Sequence, residues 1–124
     1  KNTYINGGKL LDNNFCLERD KDIYFAGQIT GVEGYVESAA SGLMVAYSII
    51  KRLKNEKIEF PEDTMLGSLA KYVSTENKNY QPMNANFGIL KPLDKKIKDK
   101  KEKYTLLSNR AQKSIQEFKE KNLK

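Results

Sequence analysis

The chain has 124 residues, enough for one domain or for part of a larger protein. Its single cysteine and its lack of histidine exclude a disulfide framework and a His/Cys metal site, so we expect no metal and a reducing, cytoplasmic setting. We also expect no membrane span and no secretory signal, because there is no long apolar run and the first residues lack the apolar region of a signal peptide. The net charge is +6, and the positive excess lies in residues 91–124, which hold twelve Lys or Arg against five Asp or Glu.

The first half of the chain predicts one short strand, a glycine-rich loop and a long helix. Residues 1–22 are rich in Asn, Gly and Asp and predict a loop with one short extended piece near residues 3–5. The apolar residues 23–26 predict a buried strand that ends at Gly27. Residues 28–34 form the next loop. From Tyr35 onward, apolar residues recur every three or four positions, which predicts a largely buried helix. Its inward stripe is expected at Val36, Ala39, Leu43, Ala46, Ile50 and Leu53.

The second half predicts two more helices with an irregular segment between them. Pro61 marks a boundary, after which Asp63 or Thr64 can cap a helix that runs to about Ser74. Residues 76–93 are rich in Asn and aromatic residues and contain two prolines, so we expect mostly irregular structure, with a short extended stretch near residues 84–89. Residues 99–121 predict an amphipathic helix. Its apolar stripe is expected at Tyr104, Leu107, Ala111, Ile115 and Phe118.

These elements indicate an α/β fragment rather than a complete domain. A buried strand must pair with other strands, and this chain offers no convincing partner. We therefore expect residues 1–60 to be the end of a larger α/β domain, with a short strand, a glycine loop and a buried helix. Residues 61–124 are expected to form a mostly helical segment that carries a basic amphipathic helix.

The first candidate binding site is the stretch YFAGQITGVEGYVESAASG, residues 24–42. A strand, a glycine turn and a helix start are typical of the cofactor-facing end of an α/β unit, because the first-turn N–H groups of a helix attract electron-rich groups. The spacing of Gly27, Gly31 and Gly34 matches neither the dinucleotide fingerprint nor a phosphate loop. From these residues alone, a ligand site and a tight connection between strand and helix both stay open.

The glycine stretch also resembles the second flavin-contacting motif of two related bacterial families of tRNA-modifying flavoproteins. One is the glucose-inhibited division protein A family, which modifies wobble uridines, and the other is the folate- and FAD-dependent tRNA (uracil-5-)-methyltransferase family. Residues 64–93 (TMLGSLAKYVSTENKNYQPMNANFGILKPL) and 98–115 (KDKKEKYTLLSNRAQKSI) are similar to the C-terminal region of the methyltransferases. Residues 1–11 (KNTYINGGKLL) resemble the segment that leads into their flavin motif. The resemblance covers nearly the whole chain.

The resemblance implies that this chain is the C-terminal portion of an enzyme that methylates C5 of a uridine in tRNA. Such an enzyme would use FAD, with methylenetetrahydrofolate and NAD(P)H as co-substrates. The larger domain that ends within residues 1–60 would then be an FAD-binding, Rossmann-like domain. The partners would be tRNA and the remainder of the flavoprotein chain. Nothing here corresponds to the N-terminal dinucleotide-binding motif of the family, so this portion alone is expected to be inactive.

The family motif implies flavin contacts for eight residues of the glycine stretch. They are Gly27, Gln28, Thr30, Gly31, Val32, Glu33, Gly34 and Tyr35. Gln28 would hydrogen-bond the pyrimidine edge of the flavin ring, or else its own backbone. Tyr35 would stack on the pterin of the folate, or else close the start of the helix as a hydrophobic staple. Glu37 would fix the loop by accepting backbone N–H bonds, or else contact the cofactor.

Two further regions are candidates for contact with folate or RNA. Residues 79–88 (NYQPMNANFG) either pack as an ordered loop or line the entrance for the folate or a flipped uracil. The residues assigned to that entrance are Tyr80, Gln81, Asn84, Asn86 and Phe87. Six lysines around the start of the last helix either form a solvated face or contact tRNA phosphates. They are Lys95, Lys96, Lys98, Lys100, Lys101 and Lys103.

No residue of this chain is assigned to catalysis. Uracil methylation needs a thiolate that activates C6, but Cys16 has no histidine to act as its base and does not match the cysteines of the family, which lie upstream. A second hypothesis is a non-catalytic RNA-binding or assembly module. A third is a fragment of the related wobble-uridine-modifying flavoprotein, which lacks a match to residues 79–88.

Overall fold

The computed structural model describes residues 3–123, and this part of the chain is mostly helical. The α-helices are α1 (Gly7–Leu10), α2 (Tyr35–Leu53), α3 (Met65–Ser74) and α4 (Lys100–Asn122), with 3-10 turns at Gln28–Thr30 and Phe87–Ile89. Within residues 3–123, β pairing is limited to isolated bridges that join Leu11 to Leu17, Cys16 to Tyr24 and Val32 to Met83. None of the helices in this range is long and apolar enough to cross a membrane.

The strand expected at residues 23–26 does not form in the described part of the chain. Tyr24 makes one antiparallel bridge to Cys16, and Ile23 and Ala26 are exposed. A regular strand needs a neighbour along its whole length to pair its backbone groups. Here Phe25 donates to the Phe15 carbonyl at 2.9 Å, and the chain then turns into the glycine loop. The end of a Rossmann-like domain therefore stays a prediction.

One other local expectation is wrong, and another holds only in part. The loop expected over residues 1–22 contains α1, whose Gly7 is buried because the backbone of α3 approaches it closely; a Cβ there would collide with the Val73 carbonyl. The extended stretch expected near residues 84–89 instead ends in the 3-10 turn Phe87–Ile89, which Asn86 caps by accepting the Gly88 N–H at 2.8 Å.

Helix α2 occupies the expected residues but buries the face opposite to the expected one. Its buried residues are Ser41, Met44, Val45 and Ser48. Both serines can be buried because their hydroxyls donate to helix carbonyls, Ser41 to Ser38 at 2.7 Å and Ser48 to Met44 at 2.8 Å. The expected inward stripe is exposed: Val36 is 79% and Leu53 is 80% accessible. The expectation that α2 is a largely buried helix is therefore wrong for the described residues.

Helix α3 confirms the expected N-terminal cap at Thr64. The Thr64 hydroxyl accepts the Gly67 N–H at 3.1 Å and donates to the Pro61 carbonyl at 2.6 Å.

The hydrophobic core is a single apolar cluster with residues from both halves of the chain. It contains Phe15, Val32, Met44, Val45, Leu69, Ala70 and Val73. A boundary near residue 60 stays a prediction.

Helix α4 begins directly after Asp99, and its predicted apolar stripe is confirmed. Leu107 and Phe118 are buried and the other three stripe residues are half-buried. The Phe118 ring packs against Phe60, with centroids 5.3 Å apart. Arg110 donates to the carbonyls of Lys91 and Pro92, the latter at 3.1 Å. These contacts attach α4 to the segments that flank α3.

Candidate flavin and RNA site

The glycine loop, residues 27–34, takes its shape from three glycines with positive φ. The angles are +82° at Gly27, +101° at Gly31 and +104° at Gly34, a region that side-chain-bearing residues rarely adopt. Gly34 is also the N-cap of α2, and no side chain caps this end of the 19-residue helix. The loop therefore presents the positive end of a long helix without a capping side chain, which favours contact with an electron-rich group.

The eight residues predicted to contact flavin divide into accessible and buried groups. Gln28, Gly34 and Tyr35 are exposed, and Tyr35 is 98% accessible. Thr30 and Val32 are fully buried, Gly31 is also buried, and Gly27 and Glu33 are half-buried. Two hydrogen bonds of 2.7 Å set the bend: the Thr30 hydroxyl donates to the Gly27 carbonyl, and the Gly27 N–H donates to the Ser41 hydroxyl. The buried residues thus shape the loop, and the exposed ones are available to a ligand.

Residues 80–85, here termed the strap, pass along the glycine loop and hold it in place. The Met83 N–H donates to the Gly31 carbonyl at 2.7 Å, and the Glu33 N–H donates to the Met83 carbonyl at 2.9 Å. These bonds form the parallel bridge between Val32 and Met83. The sequence carries no signal for this pairing, because the groups involved are main-chain groups that every residue type except proline has.

Tyr80, predicted to line the substrate entrance, lies in the interior of the protein. It is 9% exposed, and its ring stacks on Tyr72 with centroids 5.5 Å apart. Its hydroxyl donates to the Thr30 carbonyl at 2.7 Å, and a Cβ on Gly31 would collide with that hydroxyl. Burial raises the pKa of Tyr80, and the neighbouring Tyr72 and Tyr4 raise it further, so the hydroxyl keeps the proton that it donates. The position of Tyr80 suits support of the loop rather than stacking on a base.

Glu37 joins the strap to the start of α2. Its Oε1 accepts the Ala85 N–H at 3.2 Å, and a Cβ on Gly34 would collide with its Oε2. The carboxylate therefore lies next to the first turn of α2, where the helix dipole favours negative charge. This geometry matches the loop-fixing interpretation of Glu37, with the N–H supplied by the strap.

The other predicted entrance residues, Gln81, Asn84, Asn86 and Phe87, are all exposed. The Asn86 amide donates to the Asn84 carbonyl at 3.0 Å, so part of this segment serves its own backbone. The Phe87 ring stacks on Tyr104 of α4, with centroids 4.6 Å apart and planes 15° from parallel. Lys100 Nζ lies 5.6 Å from the Tyr104 centroid. Residues 79–88 thus connect the glycine loop to the basic start of α4.

The lysines predicted to contact RNA are exposed and lie around the start of α4. Lys100, Lys101 and Tyr104 line an open depression there, together with Asp99 and Thr105. Among the ion pairs within residues 3–123, none involves Lys95, Lys96, Lys98, Lys100, Lys101 or Lys103. Lysines without ion pairs beside the exposed ring of Phe87 are suited to phosphate and base contacts.

Cys16 lies in the interior and has the properties of a structural thiol. It is 2% exposed, and its Sγ donates to the Lys21 carbonyl at 3.3 Å. Burial raises the pKa of Cys16, and the nearby Asp12 raises it further. The neutral thiol is therefore favoured over the nucleophilic thiolate.

Comparisons with known proteins agree with the family resemblance. The model of the family described as glucose inhibited division protein A matches residues 1–57. A Halalkalibacterium halodurans protein named methylenetetrahydrofolate–tRNA-(uracil-5-)-methyltransferase TrmFO is 54% identical over 95% of the chain. Proteins of the same name from Staphylococcus carnosus and Shouchella clausii are 49% and 48% identical over 97% and 95% of it. The chain spans 28% of the length of each of these relatives.

Proposed function

We propose that the chain belongs to the same family as these similar tRNA methyltransferases and that it is the C-terminal portion of a flavoprotein that methylates C5 of a uridine in tRNA. Methylenetetrahydrofolate would supply the one-carbon unit, and NAD(P)H would serve as a further co-substrate. The activity would belong to the longer protein, since this chain spans 28% of its relatives. The observation that carries the proposal is the glycine loop at the uncapped start of α2, in a chain with this degree of similarity.

The residues around the glycine loop fit the ring of FAD, which supplies reducing equivalents when bound. Gln28 offers an exposed amide that can hydrogen-bond the pyrimidine edge of the ring. Gly27 has open space where a Cβ would lie, so a flat ring can approach the backbone there, and the start of α2 at Gly34 favours the electron-rich edge of the ring. Tyr35 is accessible enough to stack on a pterin, and within residues 3–123 it does not act as a staple.

The flavin role can be tested in a chimera in which this chain replaces the matching segment of the Halalkalibacterium halodurans relative. Gln28→Ala should weaken FAD binding about fivefold, the effect of losing one hydrogen bond. Gln112→Ala is the matched control, since Gln112 is also an exposed amide and lies in α4, outside the residues predicted to contact flavin, folate or RNA. FAD dissociation constants are measured from flavin absorbance and fluorescence. A chimera that purifies without flavin, or equal effects of the two variants, would contradict the proposal.

The lysine surface is proposed to contact tRNA phosphates. Changing Lys98, Lys100, Lys101 and Lys103 to Gln in the chimera should weaken tRNA binding. A plot of the logarithm of the tRNA binding constant against the logarithm of the salt concentration has a negative slope. The magnitude of this slope should decrease by about one for each lysine that contacts a phosphate. The control changes Lys9, Lys54, Lys57 and Lys113 to Gln, which alters the net charge equally at exposed positions elsewhere. Equal loss of binding in both quadruple variants would mean that only net charge matters.

A second candidate function is a non-catalytic RNA-binding or assembly module, because the lysine surface needs no flavin. Salt-dependent tRNA binding by the 124-residue chain, with no flavin in the chimera, would favour this candidate. The wobble-uridine sister family is favoured less. The match to the family model of glucose inhibited division protein A ends at residue 57. The similarity to TrmFO proteins extends over 95% of the chain and includes residues 79–88.

A further inference from the structure

Asn86 lies in the short segment that joins the glycine loop to the start of α4. Before it in the chain, Met83 pairs with the main chain of the glycine loop. Directly after it, Phe87 stacks on Tyr104 of α4, with ring centroids 4.6 Å apart. Met83 and Phe87 are four positions apart, a distance of at most about 14 Å when the chain is fully extended. A displacement at one of these contacts therefore reaches the other, unless the segment between them deforms.

The side chain of Asn86 forms hydrogen bonds in both directions along this segment. Its Oδ1 accepts the Gly88 N–H at 2.8 Å. Its Nδ2 donates to the Asn84 carbonyl at 3.0 Å and to Met83 Sδ at 3.3 Å. Sulfur is a weak acceptor, so the two bonds to main-chain groups are the stronger ones. Together these bonds hold residues 83–88 to one side chain, which makes the segment stiffer than its own backbone would be.

The segment around Asn86 is only weakly held by the rest of the protein. Residues 84–88 are all exposed, and no α-helix occurs between Ser74 and Phe87 in the described part of the chain. The Ala85 N–H donates to Glu37 at 3.2 Å, at the long end of the range for such bonds. Exposed segments of this kind open at a low cost in free energy. A ligand that fixes one end of the segment therefore lowers the entropy cost of ordering the other end.

The two ends of the segment lie at the two proposed ligand sites. Met83 bonds to the glycine loop on both sides of Val32, at 2.7 and 2.9 Å, and so holds the proposed flavin loop. Tyr104 lines the depression at the start of α4 together with Lys100 and Lys101, and Lys100 Nζ lies 5.6 Å from its ring centroid. RNA that occupies this depression would therefore contact the ring on which Phe87 is stacked.

We infer that Asn86 is a positioning residue through which RNA bound at the start of α4 orders the glycine loop, an inference that rests on the proposed function. RNA in contact with Lys100 and Tyr104 fixes the Phe87 ring. The hydrogen bonds of Asn86 extend this order to Met83, which holds the bend of the glycine loop. FAD and tRNA therefore bind with positive cooperativity, and each raises the affinity for the other by the same factor.

The coupling can be measured in the Halalkalibacterium halodurans chimera, from which FAD is removed and then titrated back at a fixed salt concentration. Saturating tRNA should lower the Kd for FAD about fivefold or more, and saturating FAD should lower the Kd for tRNA by the same factor. Asn86→Ser keeps an acceptor for the Gly88 N–H but has no amide donor. In this variant, the coupling factor should fall below about twofold.

Asn84→Ala is the matched control, because Asn84 is an exposed amide two positions away that takes part in the network through its main-chain carbonyl. This variant should keep the full coupling factor. The factor is a ratio of two Kd values within one variant, so a change in the affinity for a single ligand does not alter it. Asn86→Asp also keeps the acceptor and lacks the donors, and it provides an independent check if Asn86→Ser disturbs folding.

Amide hydrogen exchange gives a second readout that needs no flavin. In the FAD-free chimera, tRNA should slow exchange at the Met83 and Glu33 amides, whose N–H groups link the strap to the glycine loop. Asn86→Ser should remove this slowing, and Asn84→Ala should preserve it. A role of Asn86 in stability alone would instead raise the exchange rates equally with and without tRNA.

The outcomes separate this inference from the proposed function. Binding of both ligands with a coupling factor near one overturns the inference and leaves the proposed function intact. Equal loss of coupling in Asn86→Ser and Asn84→Ala also overturns the role of Asn86. A chimera that binds tRNA but no FAD contradicts the flavin role; slower exchange at Glu33 then supports the link, and unchanged exchange overturns it. Absence of tRNA binding contradicts both.

Discussion

The hydroxyl of Tyr80 donates to the Thr30 carbonyl at 2.7 Å from within a group of three tyrosine rings, in which Tyr72 is stacked and Tyr4 is tilted. Thr30 is fully buried, so its carbonyl has no ready access to water as a substitute donor. The phenol can reach this position because Gly31 has no Cβ. The shape of the glycine loop thus depends in part on the Tyr80 hydroxyl and on the missing side chain of Gly31.

Tyr80→Phe should lower the free energy of unfolding by about 1–3 kcal/mol, because it leaves a buried carbonyl without a donor. Tyr72→Phe is the matched control, since the Tyr72 hydroxyl also donates to a carbonyl at 2.7 Å, that of Gln81, but at an exposed site. Its cost should be smaller, as water can replace the donor. The free energy of unfolding of both variants is measured by urea denaturation. Equal losses of stability in the two variants would contradict the supporting role of Tyr80.

The same hydroxyl makes stability depend on alkaline pH. Burial raises the pKa of Tyr80 in the folded chain, whereas an unfolded tyrosine ionises near pH 10, at about its ordinary pKa. Its stabilising contribution is therefore complete below about pH 10 and is lost as the pH rises above that value. Burial also raises the pKa of Cys16 and Tyr24. The Tyr80→Phe variant should lose less unfolding free energy than the unaltered chain between about pH 9.5 and 11. If urea denaturation gives both the same dependence of stability on pH, this contribution of Tyr80 is excluded.

At the scale of single elements, α3 depends on its N-terminal cap. Thr64→Ala removes the acceptor of the Gly67 N–H and should cost about 1 kcal/mol of stability. Thr64→Ser keeps the hydroxyl and should cost much less. Urea midpoints measured for the two variants test this directly. If Ser is as destabilising as Ala, the threonine methyl group in its buried site matters more than the cap.

The sequence was sufficient to predict where α2, α3 and α4 lie, because apolar spacing and caps are local signals. The stripe of α4 is buried as predicted, since Leu107 and Phe118 find partners within the chain. The stripe of α2 has the predicted spacing but the opposite exposure. The spacing of apolar residues indicates that a helix has an apolar face. It does not indicate whether other residues of the same chain pack against that face.

The features that could not be predicted depend on contacts between distant residues. Residues 23–26 have the composition of a strand, but a strand forms only where a neighbour pairs with it, and Tyr24 has a single bridge. The strap that holds the glycine loop pairs through the main chain of Met83, which has no sequence signature. Among the predicted site residues, Gln28 and Tyr35 lie at the surface of the structure, whereas Tyr80 lies in its interior.

For the molecule as a whole, Arg110 is the main polar link between α4 and the other elements. It donates to the carbonyls of Lys91 and Pro92, and its Nε lies 4.0 Å from Asp63, which also accepts from Ser114 at 2.8 Å. Arg110→Ala should therefore loosen α4 and increase its amide hydrogen exchange relative to α3. Lys113→Ala, at an exposed position on the same helix, is the control. Uniformly faster exchange in both helices would mean global destabilisation instead.

The hydrogen bond between Tyr80 and Thr30 spans 50 positions of the chain, and this separation has a consequence for biosynthesis. The glycine loop leaves the ribosome before the strap has been made, so during translation it lacks the residues that hold its bend. Contacts between distant residues form late in folding, because closing a long loop costs entropy before any contact is gained. A nascent chain that stops after Ser74 would contain α2 and α3 but not the strap. The surface of the glycine loop should therefore be among the last parts of this chain to mature.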